Sequence, residues 1–173
     1  MTCLKSKYMK DTFVISNLPY KKYHLSSLLL IGNLKREDEL KSAKAIMKFN
    51  LDSIKALKVK RATLKISVRK NQPYTNIKNT KFKLGINTEY IYISDACYKS
   101  APEYISSQEE FIVDKLDIGR YIEINITDII NKWLSKEVVN NGLTIYSDDD
   151  LDGHIIHFSS TESSKPPILE YEL

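Results

Sequence analysis

Apolar and polar residues alternate along most of this chain, and the alternation is clearest at RATLKISVRK, residues 61–70. Leu64, Ile66 and Val68 fall on one side of that segment, and polar or charged residues stand between them. Successive side chains of a strand point to opposite faces, so this pattern predicts a strand with one buried face. YIEINI, residues 121–126, repeats the pattern with isoleucine at every second position and predicts another such strand.

Shorter apolar segments bounded by turn residues predict further strands. They are DTFVIS, SSLLLIGN, KAIMKFNL, KFKLGI, TEYIYISDA, GLTIYS, HIIHFSS and ILEYEL. In KAIMKFNL, we expect Ala45, Met47 and Phe49 to lie together on the buried face. SSLLLIGN is expected to end at Gly32 and Asn33, and the stretches KREDELKS and KSAPEYISSQ are expected to be connections between strands.

One segment, TDIINKWLSKE, departs from this period. Its apolar residues recur at helical spacing on one stripe; they are Ile129, Ile130, Trp133 and Leu134. Thr127 and Asp128 precede them, and their side-chain oxygens are expected to cap the helix. The chain as a whole predicts an all-β fold, an antiparallel β-sandwich of the jelly-roll type. We expect roughly nine or ten strands and one short helix before the C-terminal strands.

Length and composition fit a single globular domain. The chain has 173 residues, of which 42% are hydrophobic and 28% charged, so it can bury a core and does not resemble a disordered chain. We expect a flexible N-terminal tail over residues 1–10, followed by one sandwich domain over residues 11–173. No apolar run approaches the ~20 residues that are needed to span a bilayer, so no membrane insertion is predicted.

Charge and targeting signals limit the classes of partner and the cellular locations that the sequence predicts. The net charge is +4, and lysines that are spread along the chain supply most of it. No arginine-rich helix or RNA-binding aromatic motif accompanies them, so the sequence predicts no nucleic-acid partner. The N-terminus lacks the apolar core and the cleavage site of a secretory signal. We therefore expect a cytoplasmic protein, or one that reaches a cell surface, spore surface or virion after lysis.

Several of these segments, taken in order, resemble the DNRLRE domain family, also called disaggregatase-related repeats. The early part of the resemblance lies in DTFVISNLP, SSLLLIGN, AIMKFNLDSI and VKRATLKISV, and its most specific part in ITDIINKWL, NNGLTI, HFSSTE and PPILEYEL. The resemblance implies a surface β-sandwich of bacteria or archaea that binds carbohydrate or mediates adhesion without catalysis. A tryptophan turn that is typical of the family is missing from DACYKSAPEY.

Candidate chemistry is sparse, and its best element is a group of tyrosines. No nucleophile motif or phosphate-binding glycine loop is present, so the sequence predicts no enzyme. Aromatic rings stack on sugar faces, and the candidate ligand-binding residues are Tyr90, Tyr92, Tyr98 and Tyr104. If TEYIYISDA is a strand with its isoleucines inward, its two tyrosines face solvent together. The alternative is that these tyrosines are ordinary strand and edge residues.

An acidic loop is the one candidate for a cofactor site, and the cofactor would be a structural calcium ion. Asp148, Asp150 and Asp152 alternate and precede Gly153, as in the opening of a calcium-binding loop. The twelfth position is Ser159 rather than a bidentate glutamate, so a solvated turn between strands is the alternative. We interpret the histidines as surface or partly buried polar side chains rather than metal ligands; they are His24, His154 and His157.

The sequence also admits a second class of function, a structural subunit of a spore coat, surface appendage or phage particle. Cys3 lies in the predicted tail, where its thiol could form an intermolecular disulfide in an oxidised assembly. Such a tail could also add a strand to the open sheet edge of a neighbouring copy. The partners that the sequence admits are therefore a polysaccharide or other glycan, and further copies of the chain.

Overall fold

The computed structural model describes residues 2–4, 8–36, 39–73, 77, 79–147 and 154–173. Within these ranges the chain forms eleven strands and one α-helix. The strands are β1 (Thr2–Leu4), β2 (Met9–Ile15), β3 (Leu28–Arg36), β4 (Glu39–Phe49), β5 (Arg61–Ser67), β6 (Thr80–Asn87), β7 (Tyr104–Val113), β8 (Tyr121–Asn125), β9 (Leu143–Tyr146), β10 (Ile156–Ser159) and β11 (Ile168–Glu172). The helix is α1 (Thr127–Leu134), and short 3-10 turns lie at Ile93–Asp95, Tyr98–Ser100 and Lys115–Asp117.

The strands form two antiparallel sheets. The smaller sheet has the strand order β1-β11-β5-β8, and the larger has the order β10-β3-β4-β9-β6-β7, with β2 added to β4. Apolar side chains of both sheets meet in one buried cluster, so the two sheets are the layers of a sandwich. The predicted antiparallel β-sandwich with a single short helix is therefore confirmed.

The core follows the alternation in the sequence. Leu64, Ile66 and Val68, on the side of the smaller sheet, are fully buried. On β4, the inward-facing Ala45 and Met47 are also fully buried, and Phe49 is nearly so. Within this core, the ring of Phe82 on β6 stacks on Phe111 of β7 and meets Phe158 of β10 edge to face. Alternate side chains of both sheets therefore fill the space between the layers, as the period of two predicts.

Helix α1 packs its buried residues into the core and is held there by side-chain contacts. The Asn131 side chain accepts a hydrogen bond from the Val59 backbone N–H at 2.8 Å and donates one to the Val59 carbonyl at 3.1 Å. The predicted cap is wrong, because the N-cap residue is Ile126 and carries no side-chain cap. The hydroxyl of Thr127 instead accepts a hydrogen bond from the Ala62 N–H, so it joins the helix to β5.

Part of the range 1–10, for which the sequence predicts a flexible tail, belongs to strands in the structure. Thr2–Leu4 pair with β11, with Cys3 opposite Glu170, and β2 already begins at Met9. An unpaired sheet edge presents backbone N–H and C=O groups, and a chain end that reaches this edge satisfies them. Thr2–Leu4 are thus part of the smaller sheet.

Two predicted boundaries also differ from the structure. Strand β3 does not end at Gly32 and Asn33 but continues to Arg36. Gly32 has φ +132°, and a Cβ there would collide with the His154 carbonyl oxygen, so glycine permits the close approach of the chains. Strand β7 begins at Tyr104 and so occupies the second half of the predicted connection KSAPEYISSQ.

Candidate functional site

The connection from β6 to β7, residues 88–103, lies over the outer face of the larger sheet, and we call it the tyrosine loop. The prediction of a strand at TEYIYISDA is wrong, because this stretch forms irregular chain and a 3-10 turn. Its Ile93 and Ala96 are buried against Val14 and Ile46, which point outward from β2 and β4. Burial of apolar side chains on the outer face is favourable, and the tyrosine loop packs over them and shields them from solvent.

Contacts with the loop that follows β2 hold the tyrosine loop in place. The Lys22 ammonium lies 2.9 Å from the Asp95 carboxylate, in an exposed ion pair that adds little energy. The Lys99 backbone N–H donates a hydrogen bond to the Pro19 carbonyl at 3.0 Å. Together with the buried Ile93, these contacts give the loop a defined shape before any ligand arrives.

Tyr90 and Tyr92 project from this loop as a pair. Their side chains remain 61% and 65% exposed. The ring centroids are 5.1 Å apart, and the ring planes meet at 87°, an edge-to-face arrangement. The structure thus places these two sequence-predicted residues together at the surface, although a loop rather than a strand carries them.

Lys48 of β4 packs against this tyrosine pair. Its ammonium lies 3.4 Å from the Tyr90 ring centroid, in a cation–π contact, and donates a hydrogen bond to the Ile91 carbonyl at 3.3 Å. Burial and the nearby charge of Lys10 lower the pKa of the Lys48 ammonium. One face of the Tyr90 ring is therefore occupied, and the ring is held in place.

Tyr98 and Tyr104 lie in a neighbouring pocket of about 280 Å³ and not beside the exposed pair. The Tyr104 ring packs against Tyr146 with centroids 4.8 Å apart, and its hydroxyl accepts a hydrogen bond from the Lys44 ammonium at 3.2 Å. A Cβ at Gly85 would collide with this ring, so glycine makes room for it. Both tyrosines are half-buried, which fits a packing role better than a stacking platform.

A groove of about 730 Å³ runs from the exposed pair past the start of β2 and the end of β4, and we call it the tyrosine groove. Tyr90 and Tyr92 line one side of it. Asp11, His24 and Lys48 also line the groove, and the sequence alone did not single out any of them as a site residue. Five separate segments of the chain meet here, so no local motif marks the site.

Asp11 is the buried carboxylate of this groove, with only 2% of its surface exposed. Its two oxygens accept hydrogen bonds from the Thr161 backbone N–H at 2.9 Å and the Thr161 hydroxyl at 3.0 Å. Burial raises the pKa of Asp11 to about 7, against the opposite effect of the Thr161 hydrogen bonds. The Nδ1 atom of His24 is buried without a hydrogen-bond partner, so the groove contains an unsatisfied polar group.

A second cleft of about 720 Å³ lies between β6, β7, α1 and the chain that follows α1. Exposed Ile105 and Val139 contribute to its wall, along with Gln108, Glu109 and Asp128. Its described lining residues include no aromatic side chain. The tyrosine groove therefore has the chemistry for stacking on a sugar ring, and this cleft does not.

The remaining predicted site residues have different outcomes. Asp148, Asp150 and Asp152 lie outside the described residues, so the calcium site stays a prediction. Among the residues that the structure describes, no group of three or more His, Cys, Asp or Glu side chains could hold a metal ion.

Cys3 is exposed on β1 with a free thiol. No helix in the described ranges is long and apolar enough to cross a membrane.

Comparison with protein families gives a match that covers nearly the whole chain. Residues 3–172 match the model of carbohydrate-binding module family 96. The match is not to the DNRLRE family by name, so the resemblance in the sequence holds at the coarser level of a carbohydrate-binding β-sandwich module. No curated protein matches the chain.

Proposed function

The chain belongs to carbohydrate-binding module family 96, and we propose that it binds a polysaccharide in the tyrosine groove. The observation that carries this proposal is the exposed Tyr90–Tyr92 pair on a loop held by buried and polar contacts. Rigid aromatic side chains supply a large contact area at low cost in conformational entropy. A module of this kind holds its ligand and leaves it intact, and adhesion to a glycan surface is the role that we infer.

The two tyrosines have different parts in this proposal. Rings at 87° cannot both lie flat under one sugar, so one ring stacks and the other supports it. The Lys48 ammonium already covers one face of Tyr90 and fixes that ring. We therefore assign the stacking contact to Tyr92, with Tyr90 as its edge-to-face neighbour.

Tyr92→Ala should lower the affinity for the bound polysaccharide about thirtyfold, as expected when a central aromatic contact is lost. Tyr92→Phe should retain most of the affinity, because stacking does not need the hydroxyl. Affinity gel electrophoresis against a panel of soluble polysaccharides measures both variants. The matched control is Tyr20→Ala, which removes a tyrosine that is 75% exposed and lies outside the groove. Equal losses in Tyr92→Ala and Tyr20→Ala would contradict the assignment.

A second candidate function, self-assembly into a surface structure, is favoured by the position of Cys3. This exposed thiol lies on β1, the terminal strand of the smaller sheet, which pairs with β11 alone among the described strands. A strand edge of this kind can pair with a second copy, and a disulfide would then fix the pair.

If this second function holds, wild type elutes from a sizing column as a dimer under oxidising conditions and as a monomer with reductant. Cys3→Ser should elute as a monomer in both buffers, because it lacks the thiol that forms the bond. A wild-type protein that remains monomeric without reductant would rule out this route to assembly.

A further inference from the structure

A pocket of about 370 Å³ lies at a corner where the two sheets meet, and it shares no lining residue with the tyrosine groove. The chain just after β5 joins β10 here through an isolated bridge between Val68 and Phe158. The Arg69 backbone N–H donates a hydrogen bond to the His157 carbonyl at 2.9 Å, and the Gly119 N–H donates one to the Val68 carbonyl at 2.9 Å. Backbone hydrogen bonds from three segments therefore fix the frame of this pocket.

Three cationic side chains line the pocket, and we call them the basic corner; they are Arg69, Lys70 and Lys165. Its described lining residues include no Asp or Glu. In the part of the chain that the structure describes, none of the three forms an ion pair with a carboxylate. Burial and the positive charge of Arg69 lower the pKa of the nearby His157. The basic corner thus has a positive potential that the chain does not neutralise.

Local contacts hold two of these cations at the pocket. The Arg69 guanidinium donates a hydrogen bond to the Ser27 carbonyl at 3.4 Å, which occupies one of its N–H groups and leaves others to bind a ligand. The stem of Lys70 lies over Gly119, where a Cβ would come within 2.9 Å of the Lys70 Cγ atom. Because Gly119 has no side chain, the Lys70 stem packs directly on the backbone there.

The groups that would meet a ligand are accessible. Lys70 and Lys165 are exposed, and Arg69 is partly exposed. Asn71 and Ser164 are also exposed and line the same pocket, and their amide and hydroxyl groups can donate hydrogen bonds. An anion can therefore reach several donors without any rearrangement of the core.

The set of donors favours a tetrahedral oxyanion over a carboxylate. A guanidinium binds two oxygens of one anionic group through parallel N–H groups, and an ammonium acts as a compact point charge. A phosphate or sulfate group has oxygens in more than two directions, so it can meet Arg69 and the lysines together. A phosphate ester also carries a charge of about −1.5 to −2 near neutral pH, which suits three cations better than a single negative charge does.

We propose that the basic corner is a binding site for a phosphate or sulfate group, with Arg69 as its principal contact and with Lys70 and Lys165 supplying further positive charge. The shared chemistry is a tetrahedral oxyanion, whether it arrives as a phosphate or as a sulfate. Because this pocket and the tyrosine groove are separate, the inference goes beyond the proposed function and does not depend on it.

An NMR titration of the full, isotope-labelled chain tests the site, with inorganic phosphate, inorganic sulfate and acetate as separate probes. The ionic strength is held constant, because salt screens the charges of exposed side chains. The expected result is a saturable shift of the backbone amide signals of Asn71, Gly119 and Lys165 with phosphate or sulfate, and no saturation with acetate. The tetrahedral anion that binds more tightly identifies the kind of ester that the site takes.

Arg69→Gln should weaken this binding at least about tenfold, as expected when charged hydrogen bonds are lost. Lys165→Gln should weaken it about threefold, because it removes one exposed charge. The second variant keeps the test valid if loss of the contact between Arg69 and Ser27 disturbs the fold. The matched control is Arg61→Gln, which removes the same charge from an exposed position on β5 outside the pocket.

Three outcomes would overturn the proposal. Shifts that rise linearly with every probe, or equal losses in Arg69→Gln and Arg61→Gln, would reflect general charge effects rather than a site. Saturation by acetate at the affinity of phosphate and sulfate would show that the pocket does not select a tetrahedral anion. Tyr92→Ala should bind the anion as wild type does, and a loss in that variant would place the anion in the tyrosine groove instead.

Discussion

Asp11→Asn is expected to stabilise the protein at alkaline pH and to remove a loss of stability that wild type shows as the pH rises through about 7. The folded pKa of about 7 lies above the ordinary value of 3.8, so between these values the folded state keeps a proton that the unfolded state has released. The favourable contribution is complete below 3.8 and is lost as the pH rises through about 7.

The size of the effect follows from the same shift. At 1.36 kcal/mol per pKa unit, the rise from 3.8 to about 7 corresponds to at most about 4 kcal/mol between acidic and alkaline conditions. Asparagine stays uncharged, and its amide can exchange hydrogen bonds with the N–H and hydroxyl of Thr161. The variant should therefore keep at pH values above about 8 the stability that wild type loses there.

Urea unfolding of wild type and Asp11→Asn over a range of pH measures this difference. The control is Asp52→Asn, which neutralises an exposed carboxylate and should leave the shape of the pH profile unchanged. Parallel profiles for wild type and Asp11→Asn would show that the buried carboxylate does not govern the pH dependence.

Phe82→Ala is expected to lower the free energy of unfolding by about 3–5 kcal/mol. The Phe82 ring is fully buried and meets Phe158 edge to face with centroids 5.7 Å apart, while its stacked contact with Phe111 is 5.2 Å. Truncation removes these contacts and leaves a cavity that the two neighbouring rings cannot fill without moving.

Denaturant unfolding measures the effect of Phe82→Ala on the free energy of unfolding. The comparison requires that this free energy falls with denaturant concentration at the same slope in both proteins. Ile112→Ala serves as the control, because Ile112 lies on the neighbouring strand β7 but is exposed, and its loss should change stability by less than about 0.5 kcal/mol. Similar losses in the two variants would mean that the space between the sheets is not the close-packed core described above.

The alternation of side chains made the sandwich predictable, because burial of every second residue is a local property of a strand. It anticipated the buried faces of β4, β5 and β8. Asp11 has the same parity as the inward Phe13 and Ile15 of β2, but the sequence prediction did not extend to it. The Thr161 that forms hydrogen bonds with its carboxylate lies 150 positions away along the chain.

The tyrosine loop could not be predicted in the same way. Its isoleucines at positions 91 and 93 mimic a strand, but the surface that they cover belongs to β2 and β4, far away in the sequence. Strand β1 is another non-local case, since nothing in Thr2–Leu4 indicates the edge of β11 that receives it. The polar composition of β7 likewise did not indicate a strand. This strand is stabilised by its pairing with β6.

An NMR titration of protein with isotope-labelled tyrosine tests the central claim most directly. The titrant is the polysaccharide that retards wild type most strongly. Binding in the tyrosine groove predicts large shifts in the ring signals of Tyr90 and Tyr92 and no change for Tyr121, which lies on β8 of the opposite sheet. Unchanged signals from Tyr90 and Tyr92 at saturating polysaccharide would contradict the account.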